Sequence, residues 1–95
     1  ADMATELEAA RLMLYEAART LDEGKPEKTR KSAMAKRFVT DSCFNVANEA
    51  LQIHGGYGYL QDYEVERMVR DLRVHQILEG TNEIMRMIIA RDLLK

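Results

Sequence analysis

With 95 residues, an apolar share of 46% and a net charge of −2, the chain is too apolar for disorder and sized for one core. It carries no basic field of the kind nucleic acid requires, so no nucleic-acid partner is expected. Apolar runs such as Met87 to Ala90 fall far short of a membrane span, and no signal-peptide pattern opens the chain.

The opening Ala-Asp goes straight into helical pattern without an initiator methionine, which reads as a processed chain or a piece of a longer one. Apolar residues then recur at Met3, Leu7, Ala10, Leu14, Ala17 and Leu21, the stripe of an amphipathic helix. Gly24-Lys25-Pro26 ends it, because glycine suits a left-handed cap and proline suits the first turn of the next helix. So short a break predicts an antiparallel pair. The second helix is expected over about Glu27 to Ile53. Its basic first third, with Lys28, Arg30, Lys31, Lys36 and Arg37, reads as a solvated face or a phosphate-binding one. Its last half, from Ser42 to Leu51, is poor in charge and should be buried on more than one side, with partners beyond the other segments. Cys43 reads as a small buried residue there; a lone cysteine has no internal disulfide partner and is compatible with a reducing compartment.

Gln52-Ile53-His54-Gly55-Gly56-Tyr57-Gly58-Tyr59 breaks the helix. Such a loop can set backbone N–H groups against a phosphate, and it can equally be a tight interhelix turn. It is neither a Walker loop nor a dinucleotide fingerprint. Asp62 is placed to cap a third helix over roughly Tyr63 to Asp71, with Val65, Met68, Val69 and Leu72 inward. Leu72 to Leu78 reads as a connector. The last helix should run from about Asn82 to Leu94, apolar nearly all round. No segment alternates with period two, so the expected fold is all-α, an antiparallel bundle of about four helices.

Leu78-Glu79-Gly80-Thr81-Asn82-Glu83-Ile84 is the most informative stretch for chemistry. Val74, Ile77 and Leu78 precede Glu79 and an apolar helix follows it. Such surroundings strip water from a carboxylate, favour its neutral form and suit it to general-base work. Gly80 leaves room for a substrate to come close, and Thr81 can cap the helix and aim N–H groups at an oxygen. Together they point to proton abstraction beside a carbonyl; the competing reading is an acid placed near a helix dipole. His54 and His75 have no Cys or His at ligand spacing, so no metal is expected. His54 should bond backbone or water, and His75 should be a half-buried connector residue. Glu64, Glu66, Arg67, Arg70, Asp71 and Arg73 read as surface ion pairs.

Gln52 to Tyr59, Arg70-Asp71, Gln76 to Ile84 and the trailing Arg86…Ile88-Ile89-Ala90-Arg91, in this order and spacing, resemble the C-terminal helical domain of the acyl-CoA dehydrogenases. The resemblance spans essentially all 95 residues. Gly-Tyr-Leu-Gln-Asp-Tyr and Val-His-Gln-Ile-Leu-Glu-Gly lean toward the isobutyryl-CoA, short or branched-chain members. It implies an FAD enzyme that oxidises an acyl-CoA thioester to the 2,3-enoyl-CoA and passes electrons to electron-transfer flavoprotein, in fatty-acid or branched-chain amino-acid catabolism. On it, Glu79 matches the base and Gly80 a substrate contact. Thr81, Asn82 and Glu83 match an FAD-touching segment. Gln52, Ile53, His54, Gly55 and Gly56 match a loop on the adenosine diphosphate of an FAD held mainly by a neighbouring subunit. It further implies a homo-oligomer, a tetramer, in bacterial cytoplasm or mitochondrial matrix. The family's N-terminal helical domain, its β-domain, one helix of the bundle and an upstream FAD-binding arginine lie outside this segment, so the 95-residue chain alone should not turn over acyl-CoA. A non-enzymatic helical oligomerisation module is the competing reading, and a small nucleotide-binding protein a third.

Overall fold

The computed structural model describes residues 1–95. Four helices form: α1 Asp2–Asp22, α2 Lys28–His54, α3 Val65–His75 and α4 Asn82–Leu93. Two 3-10 turns, Gly55–Tyr59 and Gln61–Tyr63, join α2 to α3, and there is no strand.

The first break behaves as its residues dictate. Gly24 takes φ +65°, a region that glycine enters without steric cost. This lets the Gly24 and Lys25 N–H groups turn back to the carbonyls of Leu21 and Thr20 at 3.1 Å each, the double bond of a Schellman cap. The chain reverses, and α2 starts at Lys28 after Pro26 and Glu27.

The 27 residues of α2 make it about 40 Å long, and it is the spine of the fold. α1 packs on α2 alone, and α3 and α4 pack on α2 without packing on each other. Lys31 Nζ meets Glu16 at 2.6 Å, and Arg30 meets Asp92 at 3.0 Å. Near the middle of α2, Asp41 meets Gln76 and Lys36 meets Asn82. α3 and α4 therefore run end to end along α2, both antiparallel to it. Their junction, with Glu79 in it, lies over the spine's midpoint.

The seams are built from small residues. Ala10, Ala17 and Thr20 of α1 and Ala33, Ala35, Ser42 and Ala47 of α2 are buried. Thr20 offsets its own burial by donating its hydroxyl to the Glu16 carbonyl at 2.8 Å. This corrects the expected stripe on α1. Leu7, Leu14 and Leu21 lie on its flank, each more than two-fifths exposed, because close helix approach selects alanine and threonine for the seam.

α3 also differs from its expected form. Asp62 does not cap it, because the second 3-10 turn takes up that residue. The cap position falls to Glu64, left-handed at φ 61° and without a side-chain bond. α3 then runs on to His75, with the Arg73 cation in the last turn, where it suits the helix dipole. His75 is therefore exposed rather than half-buried, its Nδ1 2.7 Å from the Asp71 carbonyl. Val65, Val69 and Leu72 face α2 as expected, while Met68 stays half in solvent.

Candidate functional site

The connector from α3 to α4 is a closed loop. The Ile77 and Leu78 N–H groups return to the Val74 carbonyl at 2.9 Å, finishing α3. The Asn82 N–H reaches back to the Gln76 carbonyl at 3.1 Å, closing the loop. Glu79 is left-handed at φ 56° and Gly80 follows at φ 89°. Glycine accepts that region, whereas for glutamate it costs on the order of 1–2 kcal/mol. Thr81 caps α4 as expected, its hydroxyl accepting from the Ile84 N–H at 3.3 Å.

Glu79 is exposed, contrary to the expected half-dry setting. Val74 and Ile77, which should have covered it, are themselves 45% and 52% exposed. The reason is topological: α3 and α4 diverge along α2, and no further element of this chain faces the loop. Glu79 thus stands at the tip of a fixed turn that is open on its outer side.

The inner side of the loop is densely bonded. Lys36 Nζ donates to the Gly80 carbonyl at 2.7 Å and to Asn82 Oδ1 at 2.8 Å. Asn82 Nδ2 donates to Thr40 Oγ1 at 2.9 Å and Asp41 Oδ1 at 2.7 Å. Gln76 Nε2 donates to the same Asp41 oxygen at 2.9 Å. Arg37 and Arg86 approach the other Asp41 oxygen at 3.5 and 3.7 Å. No buried side-chain nitrogen or oxygen in the protein lacks a partner.

This network revises two readings. Asn82, expected to touch FAD, is only 3% exposed, with its side chain and N–H both spent on holding the loop. Thr81 stays partly exposed and Glu83 exposed, the latter beside Arg86 at 3.7 Å. In the basic third of α2 only Lys28 stays exposed and unpaired, the solvated reading. Arg30, Lys31, Lys36 and Arg37 are each spent on a named acceptor in the fold.

The glycine loop is a second, separate patch. Gln52, Ile53, His54, Gly55 and Gly56 are all exposed. His54 Nδ1 lies 2.7 Å from the Ala50 carbonyl, the backbone bond expected of it. Gly55 takes φ 64°, and a Cβ built on Gly55 or Gly56 would meet nothing within 4 Å. Bare, open main chain of this kind fits the approach of a diphosphate. Gly58 serves packing instead, since a Cβ there would sit 2.7 Å from the Leu51 carbonyl oxygen. Gln52 lies 11 residues beyond Asp41 on α2, about 16 Å away. The structure therefore does not merge the expected cofactor residues into one site. No group of His, Cys, Asp and Glu converges as metal ligands would. Cys43 is half-buried on α2, and desolvation pushes its thiol above the usual range, away from a reactive thiolate.

Residues 1–94 match the family profile described as acyl-CoA dehydrogenase, C-terminal domain. The chain belongs to this family. Over all 95 residues it is 58% identical to mitochondrial isobutyryl-CoA dehydrogenase of Bos taurus, covering 23% of that protein. It is 50% identical to the NADH-dependent acryloyl-CoA reductase of Anaerotignum propionicum, covering 24% of it. Butyryl-CoA dehydrogenase of Megasphaera elsdenii superposes with a TM-score of 0.93 at 46% identity, over 99% of this chain and 24% of that one. The chain thus spans about a quarter of the length of the relatives it matches. No helix of this acyl-CoA dehydrogenase domain is long and apolar enough to cross a membrane.

Proposed function

We propose that this chain is the C-terminal domain of an FAD-dependent acyl-CoA dehydrogenase and that Glu79 supplies its catalytic base. The observation that carries the reading is the Glu79-Gly80 turn: a carboxylate held left-handed at the tip of a bonded loop, next to a residue without a side chain. A strained, over-determined backbone at a titratable side chain is where active-site residues concentrate.

In the complete enzyme the open outer side of the loop faces the acyl-CoA thioester. Glu79 takes the proton from the carbon next to the thioester carbonyl, with Gly80 beside it as the substrate contact that the family resemblance implies. Burial by the rest of the enzyme completes the setting that the sequence implies for Glu79. FAD, when bound, supplies the acceptor for the hydride. On this chain Gly55 and Gly56 offer open main chain to its diphosphate beside the exposed Gln52, Ile53 and His54, and Thr81 and Glu83 line the other patch. The relatives' names support a short or branched acyl group and a bacterial or mitochondrial setting. Electron-transfer flavoprotein as electron acceptor and a tetrameric assembly follow the family resemblance.

Glu79→Gln in the complete enzyme tests the reading. Turnover of acyl-CoA should fall at least about 10²-fold, the lower end of general-base contributions, with FAD content and assembly unchanged. If turnover and assembly both survive, Glu79 is not the base and the oligomerisation-module reading takes its place.

A further inference from the structure

Glu79's turn is held by five side chains, Lys36, Thr40, Asp41, Gln76 and Asn82, and the geometry divides their work. The loop has two ends, Gln76 and Asn82, and one Asp41 oxygen accepts from both, at 2.9 and 2.7 Å. The loop's crest is the Gly80 carbonyl, and Lys36 Nζ donates to it at 2.7 Å. Lys36 and Asp41 are five residues apart on α2, so one rigid helix supplies both grips. The chemistry leaves one orientation for the Asn82 amide. Lysine can only donate and an ionised aspartate can only accept, so Oδ1 must face Lys36 and Nδ2 must face Asp41. Charge-assisted bonds on both sides of a 3%-exposed amide leave the loop little freedom. Such over-determination is what a left-handed glutamate needs, because its relaxed backbone lies elsewhere.

We infer that Lys36 and Asp41 are positioning residues for Glu79: Asp41 pinches the loop's ends together, Lys36 fixes its crest, and the carboxylate is thereby aimed at the substrate's α-carbon. The inference rests on the reading of Glu79 as base. Neither residue touches the substrate. Lys36 removal frees the Gly80 carbonyl to rotate, and Asp41 removal takes away the grip shared by Gln76 and Asn82, leaving Asn82 on Lys36 and Thr40, so the carboxylate loses its aim while the outer binding surface stays.

The test uses the complete enzyme with 3,3-dimethylbutanoyl-CoA, a thioester with α-hydrogens and no β-hydrogen. It cannot lose a β-hydride, so exchange of its α-hydrogens in D2O reads the base alone. Rates are taken per bound flavin at saturating thioester. Lys36→Met and Asp41→Ala should each slow exchange about 10- to 100-fold with thioester affinity unchanged, the loss expected of a base displaced by about 1 Å. Asp41→Asn keeps an acceptor oxygen for both loop ends and should recover most of the rate. If either severe variant fails to hold flavin, Lys36→Gln is read instead. Its amide is too short to reach both oxygens, and about fivefold slowing is expected. Exchange at the unmodified rate in the flavin-holding Lys36 or Asp41→Ala variants overturns the inference. Glu79→Gln run alongside separates the two claims: exchange there at the unmodified rate sinks the base assignment itself. A dead Glu79→Gln beside a normal Lys36→Met sinks only the positioning role.

Discussion

At the residue scale, the neighbouring left-handed backbones of Glu79 and Gly80 should respond oppositely to substitution. Glu79 is left-handed against its preference, so Glu79→Gly should leave thermal stability of the complete enzyme unchanged or raise it by up to about 1 kcal/mol while abolishing turnover. Gly80 at φ 89° tolerates no such change. Gly80→Ala should cost about 1 kcal/mol or more, chiefly from backbone strain, because the atom its Cβ meets at 2.8 Å is the free end of Met85. Paired melting curves check both signs. Gly58→Ala is a third case: its Cβ would meet the rigid Leu51 carbonyl at 2.7 Å, so a loss of about 1–3 kcal/mol is expected. The Thr81 cap was legible in the sequence because it follows from a local residue type. Lys36 was not. A lysine on a basic helix face reads the same whether it stands in water or grips a carbonyl 44 residues away.

Among the elements, α1 and α2 are joined by small-residue packing and by Glu16, which pairs with Lys31 and Arg19 at 2.6 Å each. The bonds from Lys31, then Arg19, hold its carboxyl at about 2, well below the usual carboxylate range. A lowered folded-state value means the unfolded chain binds the proton more readily. The contribution of Glu16 is therefore full above pH about 4.5 and is lost as pH falls through about 2. Its carboxylate is solvent-accessible, so added salt should weaken the effect. Acid denaturation followed by circular dichroism should show less loss of stability between those pH values in Glu16→Gln than in the unmodified protein. The helix boundaries were largely readable because Gly24, Pro26, Gly55 and Thr81 punctuate the chain locally. The buried face of α1 was not, because leucine periodicity marks an apolar side and cannot tell which side admits a close helix. Asp62 misled for a related reason: a capping residue type does not show that a 3-10 turn will take it first.

The whole molecule is a spine with flanking helices, 49 × 23 × 19 Å, rather than a closed bundle. Its radius of gyration is 15.4 Å, against about 12 Å for a compact domain of this length. Large apolar side chains stay outside, including Leu12 and Tyr15 on α1, Ile53 on α2, and Ile84, Met87 and Leu93 on α4. The charge-poor half of α2, read as buried on more than one side, instead leaves Asn45, Asn48 and Glu49 exposed on this chain. At high concentration the 95-residue chain should therefore self-associate, and a monomer by sedimentation would count against this. It should also fail to turn over acyl-CoA or bleach added flavin, since most of the enzyme that would cover Glu79 lies outside it.

The central claim is that Glu79 is aimed at the carbon beside a thioester. Its most direct test is a crystal structure of the complete enzyme with acyl-CoA bound. A Glu79 carboxylate oxygen should lie within about 3–3.5 Å of the thioester's α-carbon, shielded from water, with the Lys36 bond to Gly80 intact. A carboxylate turned to bulk solvent, with another acid beside that carbon, would contradict the account.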